Sequence, residues 1–367
     1  MGIKAVIGLQ FGDCGKGLTV DYLASQSPDS MVVRYSGGQQ AGHTVCYNGI
    51  RHVFSNFGSG SLRGLPTYWS EHCTVDPVGI INELNVLTKQ GINPILYIDG
   101  NAPVTTPYDK YDNQESYSQC QNGTCGVGVG STYQREADWF SLTFNDLFYP
   151  KVMEHKLHQI KTLYYDRKTS FEELEFEVAV NLIRKSANVK LVHKIPQTDN
   201  LIFEGSQGLL LDQHYGFFPN VTRSNTGTTN IVGMGFSPDL YLITRAYQTR
   251  HGNGYMTNED IPHGIISDPN ETNQSHEFQG EFRRSILDLD LLLYGISKDT
   301  YIRENIHNST LVITCLDHLI PNNEYRLTYN GKVFSYQGEY SFICAINHAL
   351  GVGKVLTNRT PYSNTIR

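Results

Sequence analysis

Short apolar runs rich in β-branched residues recur along this chain of 367 residues, at 4–8, 31–35, 95–98, 201–203, 240–243 and 311–314. Runs this short and this continuously apolar read as strands buried on both faces. Between several of them stand helical stretches, 78–89 and 171–185, whose apolar residues return every third or fourth position. Strands alternating with helices leave little choice but an α/β fold, a largely parallel central sheet flanked by helices. No internal repeat, low-complexity tract or Pro/Gly/Ser linker divides the chain, so 1–367 is expected to form a single domain with elaborated loops. Loops that follow parallel strands gather at the carboxyl edge of the sheet, where open α/β folds bind ligands. The informative residues fall on such loops. The polar stretch 259–279 is expected to be a mobile surface or active-site loop.

Charge and composition narrow the function. The net charge of −7 argues against a nucleic-acid partner, which needs a basic stripe to displace counterions. No segment approaches the roughly 18 consecutive apolar residues of a membrane span. The N-terminal MGIKAVIGLQFGD reads as a buried strand and not as a signal peptide, so a cytoplasmic location is expected, in a host cell if the chain is viral. The seven cysteines are scattered, with no C-x-x-C pair, and are expected to be reduced.

Four loops carry chemistry. Gly8-Leu-Gln-Phe-Gly-Asp-Cys-Gly-Lys-Gly17 follows the first strand and leads into a helix expected over 18–25. Its small residues let backbone N–H groups and a helix N-terminus approach phosphate. A Walker A loop would have glycine at Gln10 and a hydroxyl residue at Gly17, so this is a different device. Asp13 repels a phosphate unless a cation intervenes or the carboxylate works as a base; the plain alternative is a turn with a capping aspartate. Gly37-Gly-Gln-Gln-Ala-Gly-His-Thr44 adds one titratable group, His43. A lone histidine is more often structural, but this one follows a strand of the sheet that also carries Asp13, which suits acid/base pairing. Gly123-Thr-Cys-Gly-Val-Gly-Val-Gly-Ser131 can wrap a monophosphate. Phe203-Glu-Gly-Ser-Gln-Gly-Leu-Leu-Leu-Asp212, followed by Pro219-Asn-Val-Thr-Arg-Ser-Asn225, offers amides and hydroxyls for a base and a phosphate.

In this order and spacing the four loops resemble adenylosuccinate synthetase, whose motifs read G-D-x-G-K-G, G-G-x-x-A-G-H-T, G-T-x-G-x-G and F-E-G-x-Q-G with P-x-V-T. The resemblance covers most of the chain and weakens over 136–200 and the last hundred residues. It implies the nucleotide-ligase fold of that family and a reaction in which Asp13 removes the N1 proton of a purine monophosphate. The 6-oxygen then attacks the γ-phosphate of a triphosphate, with His43 supporting the charge, and L-aspartate displaces the 6-phosphoryl group. It further implies Mg²⁺ held by Asp13 and Gly42. Gly15, Lys16, Gly17, Thr44, Asp317 and Pro361 would serve the triphosphate. Gln40, Thr124, Cys125 and Thr222 would lie near the substrate phosphate, and Cys14 and Gln207 near the purine. Such enzymes are homodimers that lend an arginine across the interface; the ungapped match here is Trp139, which leaves nearby Arg135 as the candidate.

Three departures matter. The residue after the catalytic aspartate is glutamate in the family and Cys14 here, which opens space for a base with an exocyclic 2-amino group. The family's T-K-x-D segment, which reads the guanine of GTP, is Thr314-Cys-Leu-Asp317, so an adenine triphosphate becomes acceptable, with Asp317 accepting from its amino group. The aspartate-binding T-T-G-R-R-R-R is Phe278-Gln-Gly-Glu-Phe-Arg-Arg-Ser285, which retains Arg283 and Arg284 to clamp the amino acid. It also places Phe282 where a ribose hydroxyl would meet arginine, which favours deoxyribose. Together they resemble the viral branch, the 2-aminoadenylosuccinate synthetases, which join dGMP to aspartate with ATP or dATP. The alternatives are an ordinary enzyme acting on IMP with GTP, and a nucleotide-binding protein without catalysis.

Overall fold

The structure, a computed structural model, describes residues 2–120, 124–163, 170–266, 271, 280–323 and 325–367. In chain order it runs β1 (Gly2–Gly8), α1 (Lys16–Gln26), β2 (Ser30–Arg34), the hairpin β3 (His43–Tyr47) and β4 (Ile50–Phe54), β5 (Thr67–Trp69), α2 (Pro77–Lys89), β6 (Leu96–Asp99), α3 (Pro107–Cys120) and α4 (Val129–Ala137). Next come α5 (Pro150–Leu163), α6 (Ser170–Lys185), β7 (Val189–Val192), β8 (Asn200–Gly208), α7 (Thr229–Gly233), β9 (Asp239–Arg245), β10 (Tyr247–His251) and β11 (Phe282–Asp288). The last part holds α8 (Leu289–Lys298), α9 (Thr300–Asn305), β12 (Thr310–Thr314), β13 (Arg326–Tyr329), β14 (Lys332–Ser335), α10 (Glu339–Leu350) and β15 (Lys354–Thr357).

Nine strands form one sheet in the order β15-β12-β9-β1-β8-β2-β5-β6-β7, and every pairing within it is parallel. All six expected strands are there. The central ones are mostly apolar because helices cover both faces, as in β2, buried at every position with Met31, Val32 and Val33 between Ser30 and Arg34. Helix α1 begins at Lys16, two residues before its expected start. Gly17, a poor helix former, is accepted because a Cβ there would stand 2.8 Å from the His43 Cβ, so close packing overrides propensity.

A second sheet, β10-β11-β13-β14, was not legible beforehand, since β10 and the start of β11 are charged and polar. Its Tyr247, Leu287 and Leu327 enter the same apolar cluster as Ala5, Leu242 and Ile313 of the large sheet, so the two sheets share one core. Gly123, Phe278, Gln279 and most of the later part of 259–279 lie outside the described residues. No helix among the described residues is long and apolar enough to cross a membrane.

Candidate active site

A cleft of about 1260 Å³ opens where β1, β2, β8, β9, β12 and β15 end. That volume exceeds what one small ligand needs and suits two nucleotides side by side. Its wall brings together Asp13, Cys14, Gly15, Lys16, Gly17, Gln40, Gly42, His43, Thr44, Thr124, Cys125, Gln207, Thr222, Cys315, Asp317 and Pro361. Residues far apart in sequence meet because most of them lie at or soon after the carboxyl ends of parallel strands.

The first loop is braced from below. Gln10, fully buried, donates to Thr244 Oγ1 (2.7 Å) and to the Tyr247 carbonyl (3.0 Å), which ties the loop to the end of β9. This explains why glutamine stands where a Walker A loop has glycine. Gly208 is required beside it, because a Cβ there would lie 2.1 Å from the Gln10 carbonyl oxygen. Arg245 Nε donates to the Asp13 carbonyl, and Thr314 Oγ1 to that of Cys14 (2.9 Å). So held, Asp13 takes a left-handed backbone (φ 48°), a strain that marks functional positions. Its carboxylate makes no hydrogen bond or ion pair among the described residues and faces the cleft. A free, hard oxygen donor of this kind, with the Gly42 carbonyl in the same wall, fits Mg²⁺, which takes one or two carboxylates and completes its shell with water and phosphate. No cluster of three or more His, Cys, Asp or Glu side chains suited to a metal occurs among the described residues. Past Asp13 the chain enters α1 at Gly15, which supplies no side-chain cap, so the first N–H groups of the helix stay open to an anion.

Unlike Asp13, His43 is fully engaged. Its Nδ1 donates to Glu204 Oε1 at 2.6 Å, and Ser59 donates to the same carboxylate through its N–H (3.0 Å) and its hydroxyl. Burial raises a carboxylate, but here His43, Arg34 and Ser59 more than reverse it and hold Glu204 at about 2. Burial lowers His43 below its ordinary value, against the pull of Glu204. It is a neutral imidazole with Nδ1–H fixed on an ionised glutamate. Nε2, 3.4 Å from the Ser206 carbonyl, is left to exchange a proton. Arg34 lies beneath, wholly buried, with 5.0 Å between its guanidinium and the Trp69 ring centre and no hydrogen bond from any of its three nitrogens among the described residues. Glu204 and Arg34 are residues that sequence reasoning missed, although Glu204 stood inside a quoted motif.

The glutamine and glycine loops meet. Gln39 Nε2 donates to the Val127 carbonyl (2.9 Å) and the Cys125 thiol to the Gln40 carbonyl (3.9 Å). Thr124 Oγ1 donates to Asn113 Oδ1 (2.8 Å). Both amide atoms of Gln40 and the amide oxygen of Gln207 are buried in the cleft wall without partners among the described residues, the state of groups awaiting a ligand. Cys14 and Cys315 are both raised above the ordinary thiol value, chiefly by burial, so both stay neutral at pH 7.

Arg245, also missed, is the hub of the opposite wall: Nη1 donates to Tyr247 Oη and Glu271 Oε2, both at 2.8 Å, and Tyr247 Oη meets His318 Nδ1 at 2.7 Å. Three expectations differ from what is seen. Arg135 is fully buried, bound to Asp109 (3.0 Å), Glu136 (2.8 Å) and the Val104 carbonyl (2.7 Å), and cannot reach a partner subunit. Arg283 and Arg284 do not line the cleft among the described residues. They are consecutive on β11, so they point to opposite faces, and Arg283 is held by Glu259 at 2.6 Å. Phe282 stands one layer back, its ring centre 4.8 Å from that of the cleft residue His251.

The model of the adenylosuccinate synthetase family matches residues 5–322. The chain belongs to that family. It is therefore a carbon–nitrogen ligase of the adenylosuccinate synthetase type, a nucleotide-binding enzyme of purine biosynthesis. The adenylosuccinate synthetase of Thermoplasma volcanium is 33% identical over 319 residues, 80% of this chain and 72% of that one. That of Borrelia duttonii is 29% identical over 361 residues, 92% and 82% of the two chains. Two solved structures share the fold. Fully ligated adenylosuccinate synthetase from Plasmodium falciparum superposes with a TM-score of 0.74 at 17% identity, covering 100% of this chain and 99% of that one. The succinoaminodeoxyadenylate synthetase PurZ of cyanophage S-2L, bound to dGMP and dATP as an energy donor, gives 0.67 at 16%, covering 100% and 95%.

Proposed function

We propose that this ligase condenses dGMP with L-aspartate at the expense of ATP or dATP. The product is 2-amino-2′-deoxyadenylosuccinate, a precursor of 2,6-diaminopurine nucleotides for phage DNA. The observation that carries this reading is Cys14: a small thiol, kept neutral by burial, in the cleft wall beside Asp13. A purine 2-amino group is a donor that needs room, and a thiol leaves more of it than the family's glutamate. Cys315, equally neutral, removes the cation that the family sets against the guanine of GTP, and Asp317 remains as acceptor for an adenine amino group. The same fold holds dGMP with dATP in the cyanophage protein.

In this reading Asp13 takes the N1 proton as the 6-oxygen attacks the γ-phosphorus and the diphosphate leaves. His43 Nε2 faces the charge that builds on the transferring group, and the aspartate amine then displaces the 6-phosphate with loss of a proton. Mg²⁺, held by Asp13 and the Gly42 carbonyl, neutralises phosphate charge when bound. Gly15, Lys16, Gly17, Thr44 and Pro361 serve the triphosphate; Gln40, Thr124, Cys125 and Thr222 the monophosphate; Gln207 the purine. The family resemblance assigns Arg283 and Arg284 to aspartate, although neither lines the cleft wall among the described residues. A cytoplasmic homodimer, in a host cell for a phage chain, completes the reading.

The test crosses IMP, GMP and dGMP against GTP, ATP and dATP with aspartate and Mg²⁺, and follows succinyl-nucleotide formation. Turnover of dGMP with an adenine triphosphate is the expected result, and Cys14→Glu should reduce kcat/KM for dGMP roughly 10- to 100-fold. Turnover of IMP with GTP alone would show an ordinary adenylosuccinate synthetase, the reading favoured by the names of the relatives.

A further inference from the structure

The wall near Gln40, Thr124, Cys125 and Thr222 offers amides, hydroxyls and a thiol, and no basic side chain among these four. A 5′-phosphate carries close to two negative charges at pH 7, and taking it out of water against neutral donors alone is unfavourable. A cation belongs there. Lys16 is buried in the first loop, beside Cys14. Arg51 stands opposite Cys46 on the β3–β4 hairpin, on the Thr44 side. Arg245 is paired with Glu271, and Arg250 donates to the carbonyls of Tyr255 (2.6 Å) and Asn220 (2.8 Å) beside the Phe11 ring.

Arg223 differs from all of these. It follows Thr222 directly, is exposed, and lines the cleft. Its guanidinium donates to the neutral Gln134 amide oxygen on α4 and has no acidic partner among the described residues. Its Cδ passes 4.0 Å from where a Cβ on Gly130 would stand, over the first turn of α4. That helix starts from Gly128, left-handed and without a side-chain cap, and Val129, buried, and Gly130, half-buried, line the cleft. An arginine and the open N-terminus of a nine-residue helix thus converge on the Thr124–Gly128 loop from two sides.

We propose that Arg223 supplies, from within its own chain, the guanidinium that binds the 5′-phosphate of the purine monophosphate, with Gln134 as its partner when the site is empty. The proposal rests on reading the cleft as a purine-monophosphate ligase site. It means that each chain completes its own phosphate site, a role that buried Arg135 cannot fill and that Trp139, 92% exposed, does not supply with charge.

The test uses the full chain, wild type, Arg223→Ala and Arg223→Lys, and compares binding of dGMP, GMP and IMP with that of their nucleosides by calorimetry. Arg223→Ala should weaken each monophosphate that the wild type binds roughly 10- to 100-fold, with nucleoside and triphosphate affinity unchanged, and Arg223→Lys should recover part of the loss. Equal weakening of nucleotide and nucleoside, or none, overturns the proposal. Mixing Arg223→Ala with Asp13→Asn chains should restore no turnover; recovery would show that Arg223 acts across an interface and overturn the same-chain assignment. A wild type that binds none of the monophosphates overturns the ligase reading and this proposal together, a signature distinct from the other failures.

Discussion

The two walls of the cleft are built on different terms. On the wall formed by the ends of β1, β2 and β8, reactive groups are fixed by buried partners: His43 by Glu204, the Asp13 backbone by Arg245, and Gln10 by Thr244. Asp13 alone is left with a free carboxylate. On the opposite side the charged groups neutralise one another: Arg245, at the end of β9, with Glu271 in the cleft wall, and Arg283, behind that wall on β11, with Glu259. The first wall is preorganised for chemistry, and on the proposed reading the second exchanges internal ion pairs for substrate contacts. Substitutions on the first wall should therefore cost turnover, and those on the second should cost substrate affinity.

The largest effect belongs to Asp13. Asp13→Asn keeps the size of the side chain, and the loop is braced through its backbone, so both nucleotides should still bind. The base is lost, and kcat should fall by roughly 10³-fold or more in succinyl-nucleotide assays. Retained turnover would remove the functional reason for the left-handed strain at this position and return Asp13 to the role of a capping residue.

Glu204→Gln ranks next. An amide can present either its oxygen or its NH₂ to His43 Nδ1, so the tautomer is no longer fixed, and kcat should drop roughly 10²-fold with KM values little changed. Stability gives a second readout. A histidine held below its ordinary value of 6.5 and a glutamate held at about 2 each stabilise the fold above their ordinary values and lose that contribution on acidification. Thermal melts should weaken first as pH falls below about 6.5, then again between about 4.5 and 2. Glu204→Gln should shrink the second decline, to which Asp146, also held below its ordinary value, contributes as well. A melting profile identical to wild type would mean that the buried glutamate is not ionised in the folded protein.

These contrasts follow what the sequence could disclose. Asp13, His43 and Gln207 were legible as cleft residues because residues at and after the ends of parallel strands gather at the carboxyl edge of the sheet. Gln10 was legible only as a departure from another motif, because its partners, Thr244 and Tyr247, lie more than two hundred residues away. Arg135 and Arg223 present the same functional group in sequence and opposite fates in space: one is sealed under α4 with Asp109 and Glu136, the other crosses the start of the same helix in reach of the cleft. Burial is a property of long-range packing, so local spacing could not separate them. The second sheet escaped notice for a related reason. Its strands carry Arg250, Arg283 and Arg284, and charge on a strand reads as surface until the facing carboxylate is known.

The smallest expected effect tests the second wall directly. Arg283 holds Glu259 at 2.6 Å and is in register with Arg250 on β10, whose guanidinium burial, and next the Arg283 charge, push down to about 10. Removing one of two neighbouring cations relieves repulsion as well as removing a ligand contact, so the two consequences partly cancel. Arg283→Ala should raise the KM for aspartate several-fold, with kcat and both nucleotide KM values within about twofold of wild type. Arg284→Ala, on the other face of β11, should act independently, and the two effects should multiply in the double variant if each arginine meets its own carboxylate. An unchanged aspartate KM in both single variants would remove the amino acid from β11. The cleft residue Arg250, released from its backbone carbonyls, would then be the cation left on that wall to receive it, and the contrast between a preorganised wall and an exchanging one would rest on a single side chain.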